Sequence, residues 1–143
     1  MSHSSNRPLH LRPRYWALVG AGGAVGTALR AGIAHAVPTD PGTWPWATLT
    51  VNLVGAFVLP ALLEVIAGLQ HRFVAWRLTL GTGLLGGFTT YSAFAVESVG
   101  LLRAGRAGLA LAYVALTVLG GFMLAMLSAS GAARAIHHAR QAR

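Results

Sequence analysis

Seven consecutive residues, Gly86-Gly87-Phe88-Thr89-Thr90-Tyr91-Ser92, interrupt an otherwise apolar stretch and hold most of the reactive chemistry in the chain. Paired glycines followed by β-branched threonines make poor helix. Backbone that leaves the helix at membrane depth survives only where it is buried in protein or lines a wet cavity. Carbonyls freed at such a break can coordinate a cation. A glycine-rich packing kink is the plainer alternative. Tyr91 and Phe94 are three residues apart and so share a helix face. Their ring edges carry the positive part of the aromatic quadrupole and can face an anion, although aromatic packing alone would also account for them.

Other polar residues sit in apolar surroundings. Asn52 lies well inside a second apolar run, shortly after Thr48 and Thr50. An unsatisfied amide there is costly. It serves either as an interhelical hydrogen bond or as an N–H donor aimed at a partly dehydrated anion. Arg30 lies about two-thirds of the way along the first apolar run, where it either snorkels to the interface or acts as a vestibule charge that concentrates anions. Glu64 and Glu97 lie near run ends, where snorkelling or pairing with Arg is the cheaper reading. Gly20-Ala21-Gly22-Gly23-Ala24-Val25-Gly26 imitates a dinucleotide fingerprint, but its third glycine falls one position late. Small residues that let helices approach closely are the better reading, as for Gly55, Gly81, Gly83, Gly120 and Gly121.

The elements that must position these residues follow from composition. The chain has 143 residues, 55% hydrophobic and 10% charged, against about 25% charged in soluble domains. Lipid must cover what polar surface cannot. Four apolar runs, at about residues 15–37, 46–69, 76–102 and 107–133, meet the roughly 20-residue length of a membrane helix. They predict an all-α membrane domain over residues 15–133. A basic N-terminal lead-in, residues 1–14, precedes it, and a basic tail, residues 134–143, follows. The first run resembles a signal peptide ending at Ala34-His35-Ala36, but Arg30 inside it and three further runs favour a retained span.

The net charge of +8 comes from eleven Arg against Asp40, Glu64 and Glu97. The arginines cluster at span ends, which points to lipid headgroups and topology rather than nucleic acid. Eight of them (Arg7, Arg12, Arg14, Arg72, Arg77, Arg134, Arg140 and Arg143) fall on one side, and only Arg103 and Arg106 on the other. By the positive-inside rule both termini are expected in the cytoplasm of a bacterial inner membrane. The chain lacks cysteine, so it has neither disulfides nor thiolate metal sites.

Taken together these residues resemble the Fluc (CrcB) family of fluoride channels. The resemblance rests on Gly22-Gly23, Gly26 and Arg30 in the first span and on Thr48-Leu49-Thr50-Val51-Asn52-Leu53-Val54-Gly55 with Phe57 in the second. In the third it rests on Gly83, Gly86-Gly87, Thr89-Thr90, Ser92 and Phe94, and in the fourth on Tyr113 and Thr117. The resemblance implies an antiparallel dimer of four-helix subunits, each with its third helix broken near the middle, enclosing two fluoride pores. It implies a structural Na⁺ on the dimer axis held by the backbone carbonyls of Gly86 and Thr89. It implies an ion pathway through Asn52, Tyr91, Ser92, Phe94, Tyr113 and Thr117, with Arg30 and Thr48 beside them, and passive fluoride efflux without catalysis. Tyr91 stands where the family has Phe, which adds a hydroxyl. The arginine asymmetry suits a fixed orientation and an oppositely oriented paralogous partner, with a homodimer as the alternative.

Two other classes compete. A small multidrug resistance-type exporter needs a membrane-embedded carboxylate in its first span, and residues 15–37 contain none. A non-conducting membrane scaffold would explain the glycines but not the placement of Thr, Ser and Asn. No nucleophile–base set or metal-ligand cluster suggests an enzyme.

Overall fold

The computed structural model describes residues 12–68 and 73–141. Every regular element among them is helical. Helix α1 spans Pro13–Ala36, with proline in its first turn, where the missing N–H costs nothing because no helical acceptor precedes it. Helix α2 spans Trp46–Gly68 and carries Pro60 inside it. Helix α3 runs continuously through Val74–Trp76, Arg77–Leu85 and Gly86–Phe88, the middle piece widened into π geometry. Helix α4 spans Tyr91–Arg103. Helix α5 covers Ala107–Gln141, with a π-helical stretch at Leu116–Gly120.

Three of these helices, α1, α2 and α5, are long and apolar enough to cross a membrane. The third apolar run of the sequence is divided between α3 and α4, so neither half reaches that length. Two boundaries differ from those expected. Pro13 and Arg14, assigned to the lead-in, already belong to α1; the rest of the lead-in, residues 1–11, lies outside the described residues. The tail begins as a continuation of α5 through Gln141, because Ala132, Ala133, Ala135 and Ala139 keep helix propensity high past the last apolar turn.

The short connections pair at one end of the bundle. Gly42 and Gly105 both adopt positive φ, +76° and +72°, a backbone region that glycine enters without steric cost. A Cβ on Gly42 would lie 3.1 Å from the Ala104 side chain, so the two turns touch. At the opposite end, Glu64 and Ala67 of α2 line a cleft with Ile136 and Arg140 of α5.

Packing divides by chemistry. Between α1 and α3 the backbones themselves are in contact. A methyl on Gly22 would strike the Thr79 carbonyl, one on Gly26 the Leu84 carbonyl, and one on Gly87 the Gly23 carbonyl. On Gly83 it would lie 2.7 Å from the Val19 oxygen. With no apolar driving force between helices in lipid, this close van der Waals contact is what holds them. Helices α2 and α5 pack through ordinary side chains, with the Ser128 hydroxyl donating to the Phe57 carbonyl. A small core of Leu49, Leu101, Ala110 and Tyr113 ties α2, α4 and α5 together. The outside is apolar: Leu111 is 70% exposed and Phe122 65%. Surfaces of that kind suit lipid or another subunit, not water.

The glycine seam generates a prediction. Gly26→Ala pushes a methyl into backbone that cannot move aside, an overpacking expected to cost about 1–3 kcal/mol. In detergent it should lower the melting temperature and the monodisperse fraction on gel filtration. Gly108→Ala, at a position with nothing within 4 Å of the added carbon, should match the wild type. Equal behaviour of the two variants would count against the seam.

Candidate functional site

Helix α3 stops at Phe88 because the next two residues turn extended. Thr89 has φ −76°, ψ 159°, and Thr90 has φ −148°, ψ 121°, the region β-branched residues favour. The Asn52 amide holds this conformation from across the bundle. Its Nδ2 donates to the Thr90 carbonyl at 3.0 Å, and its Oδ1 accepts the Thr90 backbone N–H at 2.8 Å. A single side chain thus serves both polar groups of the residue that leaves the helix. The Thr90 hydroxyl then caps α4, accepting the Ala93 N–H at 3.2 Å, as N-cap threonines do. Thr89 is wedged against Gly55, where any Cβ would collide with the threonine methyl.

Two carbonyls lose their helical donors as a result. In a continuous helix the N–H of Thr90 would bond to the Gly86 oxygen and that of Ala93 to the Thr89 oxygen. Those N–H groups bond instead to Asn52 and to the Thr90 hydroxyl. Space beside Gly86 is open, with nothing within 4 Å of an added Cβ. Oxygen donors of this kind suit a hard cation.

Arg30 lies on the other side of the break. Its Nε donates to the Gly87 carbonyl at 3.2 Å, and the Thr27 hydroxyl reaches the same oxygen at 3.4 Å. A guanidinium at the carbonyl end of α3 is favourably placed against the helix dipole. In this structure the half-buried Arg30 is therefore pinned to the broken helix, not drawn out to the interface.

A cleft of about 410 Å³ opens beside the break, lined by Asn52, Thr90, Tyr91, Phe94 and Thr117 among others. It gathers four of the pathway residues expected from sequence, together with Gly86 and Thr89. Ser92 does not line it but lies 3.2 Å from the Thr90 hydroxyl. Tyr91 is 81% exposed and its ring packs on Phe94 at a centroid distance of 5.9 Å. The Thr117 hydroxyl oxygen is buried without a partner among the described residues.

Thr48 and Tyr113 meet at a second cluster, around Glu97. The Thr48 hydroxyl donates to one carboxylate oxygen at 2.6 Å and the fully buried Tyr113 hydroxyl to the other at 2.7 Å. Sequence reasoning gave Glu97 to snorkelling or to an Arg partner, and the hydroxyl pair replaces both. The available signal was its spacing, three residues after Phe94 and hence on the same face of α4. The Phe94 and Tyr113 rings, 5.4 Å apart, link the two clusters.

Comparison with known proteins agrees in extent. The family model described as CrcB-like protein, Camphor Resistance (CrcB), matches residues 17–129. The fluoride-specific ion channel FluC 1 of Cutibacterium acnes is 49% identical over 121 residues, covering 82% of this chain and 84% of the relative. FluC 2 of Leifsonia xyli is 46% identical over 121 residues, 82% and 83% of the two chains. FluC of Agrobacterium fabrum is 41% identical over 100 residues, 68% and 79%. The matched region takes in most of the first and fourth apolar runs, all of the second and third, and both polar clusters. This multi-pass membrane protein belongs to the CrcB family.

Proposed function

We propose that this chain is a subunit of a fluoride-selective channel that lets fluoride leave the cytoplasm passively across the bacterial inner membrane. The observation that carries the reading is the Asn52–Thr90 clamp. It holds a helix break inside the bundle and sets hydroxyl and amide donors around one cleft. The fluoride-specific names of the relatives support the choice of ion.

Fluoride holds its hydration shell tightly and enters a pore only where other donors replace the water. Asn52 keeps one amide proton beyond the one given to Thr90. The hydroxyls of Ser92 and Thr117 add donors, and the edge of Phe94 offers positive quadrupole. The Tyr91 hydroxyl adds a further donor where a phenylalanine edge would have stood alone. Further along, Thr48 and Tyr113 spend their protons on Glu97. Fluoride moving through that cluster must exchange for the carboxylate as the acceptor of those hydroxyls, which keeps each site weak enough to release the ion. Arg30, beside the break, supplies positive potential.

The functional unit in this proposal is an antiparallel dimer. The exposure of Tyr91, on the rim of the cleft, supports a second subunit there. The Gly86 and Thr89 carbonyls, deprived of their helical donors, would hold a structural Na⁺ between the subunits. Bound there, it would supply a fixed positive charge. Eight arginines against two in the sequence flanking the apolar runs support a fixed orientation with cytoplasmic termini, and a paralogous partner in the opposite orientation.

Liposomes loaded with fluoride and containing the purified chain test the reading with a fluoride electrode. Efflux from the chain alone is the homodimer outcome; efflux restored by adding a paralogue is the heterodimer outcome. No efflux under either condition would defeat the channel. A second prediction concerns the clamp. Asn52→Ala leaves the Thr90 N–H and carbonyl unserved, at a cost of about 2 kcal/mol, and should reduce efflux at least tenfold. Asn52→Asp keeps the acceptor but sets a negative charge against the Thr90 carbonyl and the passing anion, and should reduce efflux as severely. Wild-type efflux in both variants would remove Asn52 from the pathway.

A further inference from the structure

Trp44 lies in the connection before α2, and its indole Nε1 is buried without a hydrogen-bond partner among the described residues. Buried N–H groups nearly always find an acceptor, so one that does not needs a reason. The indole is a donor only, and what it lacks is an electron-rich acceptor.

Its position narrows what that acceptor is. The Trp44 ring stands edge-on to Tyr113, with centroids 6.0 Å apart and planes at 75°. Tyr113 donates to Glu97, which also takes the hydroxyl of Thr48, four residues after Trp44. The other buried polar atom without a partner among the described residues is the hydroxyl of Thr117, one helical turn beyond Tyr113. The two unserved donors thus flank the Glu97 cluster. Thr117 opens on the cleft at the break, and Trp44 lies on the side of the residue 37–45 turn. The rings of Tyr91, Phe94, Tyr113, Trp44 and Trp46 follow one another at 5.9, 5.4, 6.0 and 5.8 Å.

The indole is also held in place. Pro45, under 2% exposed, fixes the next residue, and the Trp46 N–H bonds back to the Trp44 carbonyl at 3.0 Å. A donor so enclosed excludes a phosphate-sized group.

We propose that the Trp44 indole N–H is a further anion-binding donor, holding fluoride at the end of the donor row, beyond the Thr48 and Tyr113 hydroxyls. This inference rests on the channel reading for the direction of travel but makes its own claim, a fluoride site at a named nitrogen. The test is proton–nitrogen correlation spectroscopy of indole-labelled protein titrated with sodium fluoride and, separately, sodium chloride. The chain has four Trp, and Trp44→Phe assigns the resonance. If that variant does not fold, substituting Trp16, Trp46 and Trp76 in turn assigns it by elimination. The Trp44 resonance should shift saturably with fluoride and stay still with chloride. Trp44→Phe, which keeps the ring and loses the N–H, should slow fluoride efflux about three- to tenfold. A Trp44 resonance indifferent to fluoride in protein that conducts would overturn the site while leaving the channel standing. A saturable shift in protein that conducts neither alone nor with a paralogue would keep the site and sink the channel.

Discussion

A single side chain amide makes the rest of this structure possible. In hydrocarbon, a backbone that leaves the helix must have its polar groups served by protein, since no water will do it. Asn52 serves both groups of Thr90 at once. Because it does, Thr90 can stay extended and its hydroxyl is free to cap α4. The carbonyls of Gly86 and Thr89 are then no longer claimed by their own helix. The break, the cap and the released oxygens are one arrangement with one support.

That arrangement needs a rigid frame, and the frame differs on its two sides. Upstream of the break, α3 is locked to α1 by glycines whose backbones touch. Downstream, α4 is joined to α2 and α5 by polar and aromatic contacts at Glu97, Tyr113 and Phe94. The first kind of contact tolerates no added atom. The second is made of hydroxyls that can exchange one acceptor for another. In the proposed channel, stiffness at the break and exchange beyond it would suit a path that must stay open yet release what it binds.

The composition made lipid the solvent, and the apolar runs placed the starts of α1, α2, α3 and α5 to within a few residues. The interruption of the third run was legible because glycine pairs and threonines have strong local preferences. Sequence left two roles open for Asn52, and the interhelical one is in place, with an amide proton still to spare. Glu97 was not legible. Its partners, Thr48 and Tyr113, come from two other helices, and no local pattern records which hydroxyls a carboxylate will meet across a bundle. The Trp44 indole was not legible for the same reason: it packs on Tyr113, 69 residues further along the chain. The helical continuation to Gln141 was obscured because charge marks where the apolar span ends, not where the helix does.

The length of α5 carries its own consequence. At about 1.5 Å per residue, its 35 residues extend about 52 Å, well beyond the roughly 30 Å hydrocarbon layer. The helix must lean, project from the bilayer or do both, and its neighbours are too short to follow it. Where it projects, Arg134 and Arg140 lie among or above the headgroups and resist being pulled through. The projecting end of α5 thus limits how far the bundle, and the break within it, can slide toward the opposite surface.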